Sequence, residues 1–508
     1  MKKRLLSLLL CAVMLFACAA PAFAARQAAS INKVTPPELP VSEYPLIIVR
    51  GMQLNGMVRY GGTEKEEKAS VNFNAADLLK TLVKIPSAFI TGGKDKVVDV
   101  LLDYAYGLFG HMGCDENGDP SDPDVSMRTF EGSAVNYPDL PGEPSVRQLG
   151  LFTSALHHYG AKNLYFFSYD WRLDTYGNAA LLAKEIDQAL AETGKDKVNL
   201  IACSMGGIVT LTYLTYYGSG KINSLLSDSA TMNGAECATD VLCGDILFDA
   251  AAADRYLTRM LPALSPLFHM MYRTGSLGRL CKFLNNFAAD YGEEIYSRVL
   301  IPIFGTMPAF WELCYPEKYE QAKRFAYGED ETQWPPLFEK TDKIQREVCA
   351  HKLETLQKAM DDGMIFAVVA NYNTPNVPVY VNAGLQGDGI LETRAMSFGA
   401  TVSEVGKTLS DSELAMGDEK YVSADGCINA NTAAFKDMTW FIKDGEHICG
   451  ATVDSDIMNF FFTLLDAPEQ PTIDTWEQYP QFMQADKNEG LSSELAGKTF
   501  SAKGEPVC

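Results

Sequence analysis

Along the chain, short strand-like runs rich in apolar residues alternate with longer stretches in which apolar residues recur every three or four positions. Six runs are of the first kind: Leu46–Val49, Leu164–Tyr169, Val198–Cys203, Ile222–Leu226, Val377–Val381 and Met438–Ile442. Runs this short and mostly apolar, without strict alternation, predict strands buried on both faces of a sheet. Between them, Asn178–Thr193 predicts a helix. Leu182, Ile186 and Leu190 share one face, and Gly194 stops it. Gly207–Tyr217, ended by Gly218, predicts another. The alternation predicts an α/β fold, a mostly parallel central sheet with helices on both faces.

Two stretches interrupt the rhythm. Residues 62–145 hold helical segments and an acidic loop from Asp115 to Asp124, and residues 251–374 are helix-like and rich in aromatics, Met and Pro. Both are too long for structureless loops in a compact domain. They read as an inserted subdomain and a helical cap, added to a core of residues 25–250 and 375–467. Residues 468–508 read as a polar tail that wraps the surface or is mobile.

The first residues have the pattern of an export signal. Lys2, Lys3 and Arg4 precede an apolar run to Ala20, and Ala22-Phe23-Ala24 supplies the small residues of a cleavage site. The expectation is a signal peptide of residues 1–24 and a secreted product. A lipidated Cys18 is the rival, disfavoured by the bulk of Phe16. The chain carries 43 basic and 65 acidic residues, net −22. Nucleic acid is excluded as a partner, because such a surface would meet repulsion instead of releasing counterions. Anionic membranes are disfavoured too, unless a local basic patch exists. Two of the twelve cysteines fall in the signal. The rest are compatible with disulfides, Cys237–Cys243 and Cys427–Cys449 first among them, and equally with buried thiols.

The chemistry concentrates at Ala202-Cys203-Ser204-Met205-Gly206, between a predicted strand and a predicted helix. This is the small-x-Ser-x-Gly elbow of an α/β-hydrolase fold. Its tight turn lifts the serine oxygen above the sheet at a helix N-terminus, where developing negative charge is favoured. Asp388, between Gly387 and Gly389, follows the Val377–Val381 run. His447 follows Met438–Ile442 and is the one histidine of six downstream of both Ser204 and Asp388. The order Ser, Asp, His is the one this fold uses. Ser204, His447 and Asp388 are therefore expected as nucleophile, general base and orienting acid. The N–H groups of Met205 and Met52 are the expected oxyanion donors.

These residues resemble the lecithin:cholesterol acyltransferase family, which includes lysosomal phospholipase A2. Pro45–Gly51 is similar to the family's first strand and oxyanion turn. Tyr169-Asp170-Trp171-Arg172 matches its most specific signature. Val198–Gly207 resembles its elbow, and Gly387-Asp388-Gly389 with His447 its acid and base segments. The matches are short blocks spread over about residues 44 to 450. The resemblance implies acyl transfer from a glycerophospholipid or similar ester, a lid, and a membrane-contact region within the insertions. It places Asp170 and Trp171 near the substrate, although Asp170 and Arg172 equally suit a buttress at the sheet edge. Thr306–Trp311 resembles a family segment beside the site. Four departures stand out: Arg50 where proline is usual, Cys203 where histidine is usual, Ile390 and Leu391 for Thr and Val, and a lone Cys114 in the first insertion.

The expected substrate is therefore a lipid ester at a membrane surface, with hydrolysis and transfer sharing one acyl-enzyme. The alternatives are an esterase on small soluble or carbohydrate esters and a non-catalytic binding protein on the same fold. No cofactor or metal is called for. The Asp115–Asp124 loop has oxygen ligands at calcium-like spacings but lacks the glycine and terminal glutamate placement of an EF-hand.

Overall fold

The computed structural model describes residues 42–52, 56–69, 75–140, 150–447, 455–486, 490–492 and 495. The expected signal peptide lies outside them. Eight strands form the central sheet: β1 Leu46–Val49, β2 Leu164–Phe167, β3 Val198–Cys203, β4 Ile222–Asp228, β5 Ile365–Tyr372, β6 Thr439–Lys443, β7 Phe482–Asp486 and β8 Gly490–Ser492. Their order across the sheet is β8-β7-β6-β5-β4-β3-β1-β2. Every pairing is parallel except β7 with β8. β1, β2, β3, β5 and β6 are buried at every position. That is why they are mostly apolar along their length and do not alternate.

Helices cover the sheet. α1 (Ala75–Phe109) belongs to the first insertion and kinks at Gly93. α2 (Gly150–Tyr159) precedes β2. α3 (Thr175–Thr193) starts where the Asp174 carboxylate accepts the Gly177 N–H at 2.8 Å and stops at left-handed Gly194. α4 (Gly206–Tyr217) follows β3 directly. α5 (Ala250–Met260), α6 (Ser265–Arg273) and α7 (Ser276–Asp290) open the cap. α8 (Ser455–Leu465) packs beside β4. No helix among the described residues is long and apolar enough to cross a membrane.

Two sequence expectations are corrected, and of the two cysteine readings the described residues show thiols. Val377–Val381 is not a strand. Pro375 and Pro378 interrupt the segment, and a central strand cannot spare the N–H groups they lack. The sheet takes Ile365–Tyr372 instead, so the cap ends before Ile365 rather than at 374. The region after 468 does not merely wrap the surface: β7 extends the sheet beside β6, with Phe482 opposite Phe441. Cys237, Cys243 and Cys427 are unbonded thiols, and Cys449 lies outside the described residues.

The two insertions are stitched together. Cys114 N–H donates to Thr306 Oγ1, and Arg298 reaches Asp103 of α1 at 2.9 Å. The Asp115–Asp124 loop spends its acids locally. Asp115 Oδ1 accepts the N–H groups of Asn117 and Asp119, Asp122 pairs with Arg59, and Asp119 pairs with Lys340.

Candidate active site

Ser204 sits in the turn between β3 and α4 with φ of +51°, a left-handed conformation that L side chains rarely adopt. Three backbone hydrogen bonds hold it there. Ser204 N–H donates to Ser229 O, while Thr231 and Gly207 N–H donate to Ser204 O. None of them uses the Met205 N–H, which lies at the mouth of α4. The glycines of the motif are sterically required. A Cβ on Gly206 would lie 2.2 Å from Val49 O, and one on Gly207 would lie 2.8 Å from Ala230 Cβ.

The structure brings Ser204, His447 and Asp388 together from three separate segments. His447 Nε2 lies 3.0 Å from Ser204 Oγ, and His447 Nδ1 lies 2.7 Å from Asp388 Oδ2. Asp388 is fully buried and His447 nearly so. The other carboxylate oxygen of Asp388 accepts the backbone N–H groups of Ile390 and Leu391 at 3.0 and 2.8 Å. The departures at these two positions are thus neutral to the acid, because it uses their main chain. Gly387 is also required, since a Cβ there would run into Asn376.

The loop that carries His447 is shaped by Asp444, whose φ is +60°. Its carboxylate accepts from Asn373 Nδ2 and Gln484 Nε2, each at 2.8 Å, and Thr374 Oγ1 donates to Gly445 O. Sequence reasoning missed these residues. Their one local signal is polarity at the C-terminal end of apolar strands.

At the expected oxyanion turn the residue against the serine is Gly51. A Cβ there would lie 2.5 Å from Ser204 Cβ. Met52 follows with a half-exposed side chain, and residues 53–55 are not described. Arg50 is buried, and its Nε and Nη2 meet no partner among the described residues. Burial lowers its pKa to about 10, so it remains charged at neutral pH. Burial also holds Cys203 as a thiol.

The Asp170 carboxylate is engaged by Arg172, through Nε at 2.9 Å and Nη2 at 2.6 Å, and Arg172 Nη2 reaches Val125 O. These bonds are the buttress expected as one of two readings. Trp171 is fully buried, with Nε1 unpartnered among the described residues. Ala309 N–H contacts Arg172 O at 3.5 Å, which brings the Thr306–Trp311 segment against this turn.

Among known proteins, a family model described as the alpha/beta hydrolase fold matches residues 96–330, a span that includes Ser204 and ends before Asp388. No curated protein matches the chain. A solved structure titled "The crystal structure of Tle4-Tli4 complex" is similar at 12% identity over 84% of this chain and 98% of that one. Its TM-score is 0.34, too loose a likeness to carry an argument. The parallel sheet flanked by helices, together with the family match, establishes that this chain has an α/β-hydrolase fold.

Proposed function

We propose that the protein is a serine-dependent hydrolase of lipid esters, glycerophospholipids foremost, working through an acyl-enzyme on Ser204. The observation that carries this reading is the unbroken hydrogen-bond chain from Ser204 through His447 to Asp388. In the proposed cycle His447 Nε2 takes the hydroxyl proton as Ser204 Oγ attacks the ester carbonyl carbon. Asp388 stabilises the imidazolium that forms. The carbonyl oxygen becomes an oxyanion and accepts the N–H groups of Met205 and Met52. Collapse breaks the ester bond, and His447 returns its proton to the departing alkoxide. Water, or an alcohol in the transferase variant, then repeats the sequence on the acyl-enzyme.

The cap supports a lipid substrate. From Arg255 to Ala289 the chain has no Asp or Glu and carries Arg255, Arg259, Arg273, Arg279 and Lys282. α6 has no buried residue, and Leu267, Met270 and Tyr272 stand exposed along it. The net charge of the chain is negative, but charges beyond about 8 Å are screened at physiological salt. The exposed cations among these, Arg273, Arg279 and Lys282, therefore outweigh the distant acids, and an anionic lipid surface suits both them and the exposed apolar residues. Arg259 reaches Glu446, the neighbour of His447, at 3.5 Å, so the face adjoins the site. Secretion belongs to the same proposal and rests on the pattern of residues 1–24.

The test is fluorophosphonate labelling of wild type beside Ser204→Ala, with fatty-acid release from phosphatidylcholine vesicles in parallel. Labelling of wild type alone and release of fatty acid are expected. Labelling without release would move the substrate to soluble esters, and absence of labelling would remove the enzyme reading.

A further inference from the structure

Asn371 is fully buried near the C-terminal end of β5, in the otherwise apolar run Ile365–Ala370. Asparagine is a poor choice for a central strand, and an apolar residue of similar size would pack there without a buried amide to satisfy. The side-chain amide has two N–H groups. Asn371 Nδ2 donates to Ser229 Oγ at 2.9 Å and to Glu446 O at 3.0 Å.

Both acceptors bear on the reacting groups. Ser229 has φ of +51°, and its carbonyl accepts the Ser204 N–H at 3.0 Å. Ser229 thus fixes the backbone of the nucleophile. Glu446 is the residue before His447. The acid segment is attached to the same residue, since Thr393 Oγ1 donates to Asn371 O at 2.7 Å while Leu391 N–H holds Asp388. Ser204, Asp388 and His447 stand on loops far apart in sequence, and all three loops converge on Asn371.

We infer that Asn371 is a positioning residue for the reaction: its amide clamps the nucleophile turn to the histidine loop and thereby sets the approach of His447 Nε2 to Ser204 Oγ. This rests on the serine-hydrolase reading above. The clamp acts on the alignment of two reacting atoms, where a displacement of about 1 Å can cost roughly 100-fold in rate. It does not touch the substrate, so binding is spared.

The experiment measures the second-order fluorophosphonate labelling constant and the final labelling stoichiometry for wild type, Asn371→Ala, the isosteric Asn371→Asp and Ser229→Gly. kcat and KM on a short-chain nitrophenyl ester are measured alongside. Asn371→Ala and Asn371→Asp should label at full stoichiometry with a constant about 10- to 100-fold lower, and kcat should fall with KM nearly unchanged. Ser229→Gly keeps the bond to Glu446 and suits the left-handed φ. It should fall between wild type and Asn371→Ala, and the double variant should show less than the sum of the two losses. A purely structural role would lower stoichiometry and leave the constant per labelled site at the wild-type value, and that result overturns the inference. If an Asn371 variant does not fold, Ser229→Gly alone decides, an unchanged constant again overturning it. Failure of wild type itself to label would instead remove the serine-hydrolase reading.

Discussion

The Lys443 ammonium lies 2.8 Å from the Asp425 carboxylate, with both side chains more than nine-tenths buried. Lys443 ends β6, four residues before His447, and Asp425 also accepts from Tyr372 Oη and Ser423 Oγ. Burial alone would raise the pKa of Asp425, but the hydrogen bonds from Lys443 and Ser423 hold it below its ordinary value. Removing one member leaves a buried charge uncompensated, so Asp425→Ala should cost about 3–5 kcal/mol of unfolding free energy, measured by denaturant titration. The double variant Asp425→Leu/Lys443→Met should recover most of that loss.

If the hydrogen-bond chain acts as proposed, Asp388→Asn should lower kcat by about 10⁴-fold with little change in KM. Asparagine keeps the geometry but donates where the carboxylate accepted, which favours the wrong histidine tautomer. Steady-state kinetics on a soluble ester would show this, and a loss below tenfold would argue that Asp388 is not the orienting acid.

Four buried carboxyls should make stability depend on pH. Burial pushes Glu392 and Glu312 up to about 8, Glu185 to about 7 and Asp240 to about 6. Each binds its proton more tightly folded than unfolded. The stability they contribute is complete below about pH 4 and is lost as pH rises through 6 to 8. Neither oxygen of Glu392 has a hydrogen-bond partner among the described residues. Glu392→Gln should therefore flatten part of the fall in thermal midpoint between pH 5 and about 8. Parallel melting curves across that range would check it.

Arg50 is buried, with Nε and Nη2 unpartnered among the described residues and burial outweighing the pull of Tyr169 and Asp170. Arg50→Met keeps much of the volume and removes the desolvation cost, so the thermal midpoint should rise by about 2–4 °C. A fall in midpoint would show that the guanidinium is held by contacts outside the described residues.

The basic apolar face of the cap predicts lipid selectivity. Catalytically silent Ser204→Ala protein should sediment with vesicles containing phosphatidylglycerol and much less with pure phosphatidylcholine. Arg273, Arg279 and Lys282 form no ion pair among the described residues. Replacing all three by Gln should weaken anionic-vesicle binding by about 100-fold, at roughly 1 kcal/mol per cation. Equal binding to both vesicle types would remove the electrostatic part of the proposal.

Much of the fold was legible locally. Strands buried on both faces are mostly apolar, so β1, β3 and β6 stood out as runs, and α3 announced its own stop at Gly194. The elbow was legible as well, because its steric demands fall on neighbouring residues: Gly206 and Gly207 are small because Val49 and Ala230 leave no room. The chain order of Ser204, Asp388 and His447 by itself pointed to a common site. What the sequence could not decide is how distant segments satisfy one another. The choice of Ile365–Tyr372 over Val377–Val381 turned on which run could pair its N–H groups on both sides. The place of β7 depended on a free sheet edge beside β6. Asn371, Asp425 and Asp444 carry hydrogen bonds and ion pairs that reach across tens of residues. Such bonds leave no periodicity in the chain, because their geometry exists only once the sheet has brought its loops to one end.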